Sequence, residues 1–191
     1  MKRIDKSKLE KGLMVTGINL KTVGAKLIRK GVHSFTNHNG MVAERFDQMG
    51  IAEAVSPYSK FTSIESYEKI MNDDGYRIGF YRLKALVPEE REAAADFFIS
   101  NLLNLPYPHK SSMIVLALPI YNALVDKLVF IPSIRLTWCS QLVARSYISV
   151  DPHCLDGIEG KKKQLFTPKT FENRIIDHLF EDLTDQIIIE E

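Results

Sequence analysis

Cys139 is the residue of this sequence best suited to covalent chemistry. It follows an extended segment at 131–137 and stands where a helical pattern begins, with Leu142, Val143, Ser146 and Tyr147 on its face. The first turn of a helix has N–H groups without intrahelical acceptors and a partial positive charge, which favours a thiolate over a thiol. Such a thiolate is a nucleophile, and the N–H of Cys139 can donate to a developing oxyanion. The alternative is a buried core residue, because cysteine often packs as a small apolar side chain.

A thiol nucleophile needs a base and a group that orients the base. His38 begins a predicted strand that ends at residue 44, and Glu53 lies in a second predicted strand at 51–55. The five residues 45–49, followed by a glycine, suit a hairpin loop between these strands. Such pairing brings the imidazole and the carboxylate together at the end of the hairpin away from its turn. The carboxylate then fixes the tautomer of the imidazole and stabilises its protonated form.

Other residues compete for these roles. Glu44 has the right parity to share the face of His38 in the same strand, and His33 is a second candidate base. A single histidine on a strand also has an ordinary structural interpretation, as a packed polar side chain. The residues alone leave these alternatives open.

A metal site is not expected. His109, His153 and Cys154 are the other histidine and cysteine candidates, but adjacent side chains such as His153 and Cys154 rarely converge on one tetrahedral ion. The basic run Lys161–Lys163 is predicted to be a solvated loop. The glycines do not have the spacing of a phosphate-binding loop, and we expect no cofactor.

Composition excludes several classes of function. The chain has 191 residues, of which 45% are hydrophobic and 26% are charged, as in an ordinary folded protein. Its 25 basic and 24 acidic residues give a formal net charge of +1, so no basic field for nucleic acid is expected. Two cysteines cannot make a disulfide scaffold. The basic start lacks the apolar core of a secretory signal, and we therefore expect a cytoplasmic protein with reduced thiols.

The most apolar stretch is Met113–Phe130, which Pro119, Asn122, Asp126 and Lys127 interrupt. Central charges are costly in a bilayer, so we expect buried or cleft-covering helices here and no stable membrane span. No repeat or linker divides the chain. The sequence therefore predicts one domain, residues 1–191, with a helical insertion at about 88–133.

The order of predicted elements is typical of an α+β fold. Strands are predicted at 13–16, 38–44, 51–55 and 77–83, and helices at 20–30, 64–71, 88–105 and 138–148, with a further helix opened by Thr167 and Pro168. The last residues, 186–191, are predicted either to form an edge strand or to fray.

Seven short segments follow one another in an order that resembles a known family. They are GLMVT (12–16), NHNGMVAE (37–44), IAEAV (51–55), IGFYRL (78–83), LPYP (105–108), TWCSQLVARSY (137–147) and TPKTF (167–171). Together they resemble the circularly permuted branch of the NlpC-type papain-like thiol hydrolases, the YiiX-like proteins, in which the histidine precedes the cysteine. The lecithin-retinol-acyltransferase-like enzymes share this permuted order. The sequence departs from the family pattern at Leu13, where aspartate is usual, at Asn37, where serine is usual, and at Gln141.

The resemblance implies a papain-like fold, in which an antiparallel, barrel-like sheet packs against helices. It matches Cys139 with the nucleophile, His38 with the base and Glu53 with the orienting residue. Tyr107 matches a tyrosine that lines the oxyanion side of the cleft.

We therefore expect a cysteine hydrolase, a peptidase or amidase, that cleaves an amide or ester through a thioester intermediate. The expected substrates are a small peptide, a peptidoglycan fragment or a lipid acyl group, as in the relatives. Two alternatives remain: a lipid-directed acyltransferase or phospholipase of the same fold, and a non-catalytic binding protein that retains the fold.

Overall fold

The computed structural model describes residues 1–18, 38–73, 76–107, 139–156, 171 and 179–190. Its strands are β1 (Lys2–Ile4), β2 (Met14–Ile18), β3 (His38–Arg45), β4 (Gln48–Ala54), β5 (Ser59–Ser63), β6 (Arg77–Leu83), β7 (Phe180–Asp182) and β8 (Ile188–Glu190). Its α-helices are α1 (Ile64–Asp73), α2 (Pro88–Phe97), α3 (Cys139–Val150) and α4 (Thr184–Ile187). A 3-10 turn at Lys6–Lys8 and a π-helical turn at Phe98–Leu102 complete the described elements.

The main sheet contains six strands in the order β5-β4-β3-β2-β6-β7, and every neighbouring pair is antiparallel. β1 and β8 form a separate antiparallel pair. The mixed α+β class is confirmed, but the expected barrel-like closure is wrong. Within the described residues, β5 and β7 each have one neighbour in the sheet, so the sheet is open.

Alternation along β3 divides the core between the two faces of the sheet. Met41 and Ala43 belong to a cluster that also contains side chains of α2 and α3. Val42, between them, belongs to the other cluster, which contains side chains of α1. Helices therefore cover both faces of the sheet, and α3 packs on the face of Met41.

The β3–β4 hairpin is tighter than predicted. Arg45 pairs with Gln48, so that the turn consists of Phe46 and Asp47 rather than of five residues. Both turn residues have positive φ angles, 52° and 57°, as a two-residue hairpin of this kind requires. Asn-Gly is the usual sequence of such a turn, whereas this chain has Phe-Asp. The two turn residues therefore do not by themselves favour this turn, and the pairing of β3 with β4 selects it.

Of the other elements, some are confirmed, one was missed and one is shorter than predicted. The strand at 77–83 and the helix beginning at residue 64 are confirmed. The polar edge strand β5 was missed because SKFTS has no strong apolar alternation. The helix predicted at 88–105 is α-helical only to Phe97, and the π-helical turn follows. The expected C-terminal edge strand is present as β8.

One contact fixes α3 against the start of β2. The hydroxyl of the buried Tyr147 donates to the carbonyl oxygen of Gly12 over 2.7 Å. Gly12 has a φ of 81°, and a side chain there would collide with the backbone carbonyl of Arg91 in α2. Glycine is therefore required where β2, α2 and α3 meet.

Some sequence predictions lie outside the described residues. They are the helix at 20–30, the apolar stretch at 113–130, the extended segment at 131–137 and, except for the buried helical residue Phe171, the helix opened by Thr167 and Pro168. The single-domain assignment for residues 1–191 and most of the insertion at about 88–133 remain predictions.

Candidate functional site

His38 and Glu53 meet at the end of the sheet away from the β3–β4 turn. His38 is the first residue of β3, and the register pairs Gly40 of that strand with Glu53 of β4. His38 and Glu53 are thus diagonal neighbours on one face, and long side chains reach across that diagonal. The His38 Nε2 atom lies 2.6 Å from Glu53 Oε2. The imidazole and the carboxylate therefore meet at the end of the hairpin away from its turn, as predicted.

Two hydroxyl groups complete the surroundings of Glu53. Thr62 Oγ1 in β5 donates to Glu53 Oε1 over 2.6 Å, and the Tyr67 hydroxyl in α1 donates to Oε2 over 2.5 Å. Glu53 is 5% exposed, and burial alone raises the pKa of its carboxyl. The hydrogen bond and charge of His38, with the two hydroxyl donors, outweigh burial and lower this pKa to about 2. Glu53 is therefore ionised throughout the ordinary pH range.

Cys139 is the first residue of α3 and is 4% exposed. Burial raises the pKa of its thiol, but the hydrogen bond and the charge of His38 act in the opposite direction. The backbone N–H groups of Asn39 and Ser140 also hydrogen-bond to the sulfur. Together these groups lower the pKa of Cys139 below its ordinary value of 9.0. The sulfur is thus held in a site that favours thiolate.

The imidazole of His38 faces both of these partners. Its Nε2 atom faces Glu53, and Cys139 is the second group that influences the ring. Burial lowers the pKa of His38, but the charge interaction with Tyr76 and the hydrogen bonds with Cys139 and Glu53 raise it well above 6.5. A protonated imidazole between a thiolate and a carboxylate is the charge arrangement that this geometry favours.

The structure separates the competing candidates. Glu44 lies near the turn of the same hairpin, where its side chain is 41% exposed and lies 3.8 Å from the Lys11 ammonium group. It is six residues along β3 from His38, which is about 20 Å in an extended strand. Glu44 therefore does not contact His38. His33 lies outside the described residues.

Tyr107 also lies near the sulfur. Its backbone N–H donates to the carbonyl oxygen of Pro57 over 2.8 Å, which fixes this segment beside β5. Burial, followed by the charge of Cys139, raises the pKa of the Tyr107 hydroxyl. The hydroxyl therefore stays protonated and is able to donate a hydrogen bond.

Sequence reasoning missed three residues of this site: Thr62, Tyr67 and Tyr76. Thr62 and Tyr67 lie in a polar strand and an amphipathic helix that carry no motif, so no local signal marks them. Tyr76 precedes β6, and its hydroxyl lies over Gly17, the register partner of His38. A side chain at residue 17 would collide with that hydroxyl. The glycine at this position was therefore the sequence feature that could have indicated a group packed against β2 here.

The weaker metal candidates do not converge. His153 is exposed and lies 2.7 Å from Asp156, whereas Cys154 is buried in the core. His109 lies outside the described residues. Among the side chains that the structure describes, no group of three or more His, Cys, Asp or Glu residues is arranged to hold a metal ion. No described helix is long and apolar enough to cross a membrane.

A comparison with solved structures finds a neighbour that covers most of the chain. It is a crystal structure described as metalloprotein yiiX from Escherichia coli O157:H7, with a TM-score of 0.58 and 17% sequence identity. The superposition covers 91% of this chain and 95% of that one. The chain has a YiiX-like fold. No protein-family profile matches the sequence, and no curated protein matches it. The YiiX likeness concerns architecture, because 17% identity is too low to carry function.

Proposed function

We propose that this YiiX-like protein is a cysteine hydrolase in which Cys139 is the nucleophile, His38 the general base and acid, and Glu53 the orienting carboxylate. The observation that carries the proposal is the 2.6 Å contact between His38 and Glu53, together with the influence of the same imidazole, which lowers the pKa of the Cys139 thiol. A nucleophile, its base and a third group that orients the base are the parts that thiol catalysis needs.

The charge state of the three groups supports this assignment. A purely structural buried cysteine would have a raised pKa, and Cys154 provides the contrast: burial raises its pKa to about 12. Cys139 is buried too, yet its pKa is lowered, because His38 and two backbone N–H groups face the sulfur. The two buried thiols therefore have pKa values shifted in opposite directions, which supports Cys139 as the nucleophile.

In the proposed reaction, the Cys139 thiolate attacks the carbonyl carbon of an amide or ester. The C=O electron pair moves to oxygen, and the backbone N–H of Cys139 and the Tyr107 hydroxyl donate to the resulting oxyanion. The His38 imidazolium then gives its proton to the leaving nitrogen or oxygen, and a thioester forms. His38, now neutral, removes a proton from water, and the resulting hydroxide adds to the thioester carbonyl. When the C–S bond breaks, the carboxylic acid leaves, and the Cys139 thiolate and the His38 imidazolium are restored.

The metal in the description of the neighbour has no counterpart in this scheme. Of the site residues, Glu53 is already bound to Thr62, Tyr67 and His38, and His38 Nε2 is bound to Glu53. Among the described residues of the site this leaves the Cys139 sulfur and one ring nitrogen, whereas catalytic zinc sites have three protein ligands. We therefore assign no step to a metal ion.

Alkylation by iodoacetamide tests the activated thiol without knowledge of the substrate. Intact mass and peptide mapping follow the two cysteines separately at about pH 6. We expect Cys139 to react more than about tenfold faster than free cysteine, and Cys154 to stay unmodified as an internal control. In His38→Gln the larger lowering influence is lost, whereas burial and the two backbone N–H groups remain, so Cys139 should react much more slowly than in the wild type.

A substrate panel tests the chemistry itself. Muropeptides and phospholipid vesicles represent the peptide and lipid classes, and Cys139→Ala is the matched inactive variant. We expect the rate to rise with pH as Cys139 ionises below 9.0 and to fall as His38 loses its proton well above 6.5. Slow alkylation of Cys139 without hydrolysis of any substrate would remove the proposal and favour a binding protein. Hydrolysis that survives Cys139→Ala would remove the proposal by showing that another group is the nucleophile. Cleavage of phospholipid vesicles but not of muropeptides would support the lipid-directed alternative.

A further inference from the structure

Asn39 has a buried side-chain amide that makes no hydrogen bond to any residue that the structure describes. The residue is 0% exposed, and among the described residues neither its amide nitrogen nor its amide oxygen has a hydrogen-bond partner. A buried carboxamide left unpaired destabilises the fold, and native proteins seldom keep one without a reason. We therefore expect the side chain of Asn39 to bind a ligand that has both a hydrogen-bond acceptor and a hydrogen-bond donor.

The position of Asn39 places this amide beside the nucleophile. Its backbone N–H hydrogen-bonds to the Cys139 sulfur. Its side chain is on the opposite face of β3 from His38, the face shared with Met41 and Ala43. The helix that begins with Cys139 packs on that face. The short side chain of Asn39 thus lies between the strand and the N-terminal turn of α3, close to the sulfur.

The two unpaired atoms define the chemistry of the missing partner. The amide nitrogen donates to a carbonyl oxygen, and the amide oxygen accepts from an N–H group. A secondary or primary amide offers both within one planar group, so two hydrogen bonds form side by side. An ester offers the carbonyl oxygen but has no N–H, so the asparagine oxygen would stay unpaired.

We propose that Asn39 is a substrate-binding residue that recognises an amide group at or next to the reacting carbon. The protein would therefore act on amides such as peptides and discriminate against esters, including lipid esters. This inference rests on the proposed function and names its substrate class.

The test compares two alkylating agents of similar size, iodoacetamide and methyl iodoacetate. The first has an amide beside the reacting carbon, and the second has an ester. The ratio of their rates with Cys139 is divided by the same ratio for free cysteine, which removes the intrinsic difference between the reagents. We expect the wild-type protein to favour the amide reagent by about tenfold, as the loss of one or two hydrogen bonds implies.

Asn39→Leu removes both hydrogen-bonding atoms and nearly keeps the shape of the side chain. We expect the normalised ratio to fall to about one. The thermal midpoint should stay equal or rise, because an unpaired polar group has been replaced by an apolar one. Asn39→Ala provides a second variant with the same expected ratio, should leucine not fit. Thr16→Val is the matched control: Thr16 is the register partner of Asn39 on β2, and its substitution should leave the ratio unchanged.

The outcomes separate this inference from the proposed function. Rapid alkylation of Cys139 without amide preference would refute the role of Asn39 and leave the thiol hydrolase intact. Preference for the amide that persists in Asn39→Leu and Asn39→Ala would also refute it, as would a clear loss of stability in Asn39→Leu, which would mean that the carboxamide is paired within the protein. The ratio can be measured at alkaline pH as well, where any thiol ionises, so it is defined even when Cys139 is not activated.

Discussion

Replacing Glu53 with glutamine should change how the stability of the protein depends on pH. In the folded protein the pKa of Glu53 is about 2, against 4.5 for an unperturbed carboxyl. A carboxyl with a lowered pKa stabilises the fold above pH 4.5, and this contribution is lost as the pH falls toward 2. The full contribution is about 3 kcal/mol, of which about 1.4 kcal/mol disappears between pH 6 and pH 3.5.

Urea unfolding at about pH 6 and pH 3.5 measures this quantity. The free energy of unfolding of the wild type should fall by about 1.4 kcal/mol more than that of Glu53→Gln over this interval. Glu44→Gln is the matched control, since Glu44 is an exposed carboxyl of the same hairpin and should follow the wild type. Parallel curves for the wild type and Glu53→Gln would refute the charged contact between Glu53 and His38.

Three further results are expected from residues around this contact. Tyr67→Phe and Thr62→Val each remove one donor to Glu53, and each should raise its pKa and lower the free energy of unfolding by about 2 kcal/mol, measured by NMR titration and urea unfolding. Gly17→Ala should destabilise the fold by about 1–3 kcal/mol, because its methyl group would meet the Tyr76 hydroxyl. Tyr76→Phe should recover part of that loss in the double variant; a purely additive double-mutant cycle would argue against the contact.

The sequence was informative about the order of elements and about the residue types that carry chemistry. Apolar alternation marked β3, β4 and β6, because one residue in two faces the core and this pattern is local. The position of Cys139 at a helix start and the hairpin that joins His38 to Glu53 were also readable, since each depends on a short stretch of chain. The seven segments in family order added the expectation of a YiiX-like protein, and the structural comparison supports that expectation for the fold.

Only the tertiary structure could decide what surrounds these residues. The choice of Glu53 over Glu44 depended on the register of the hairpin, which long-range pairing selects and which no Asn-Gly turn signal indicated in the sequence. Thr62 and Tyr67 converge on Glu53 from a strand and a helix that have no motif.

Asn39 shows the same difference between what the sequence determines and what the tertiary structure determines. Its side chain is an ordinary polar residue in the sequence, and only the packing of α3 over β3 makes it buried and unpaired. The periodicity of apolar residues predicts on which face of a strand or helix a side chain lies, because it follows from the geometry of that single element. Charge, burial and hydrogen bonding depend on segments distant in the chain, and these are the quantities that set the pKa of Cys139.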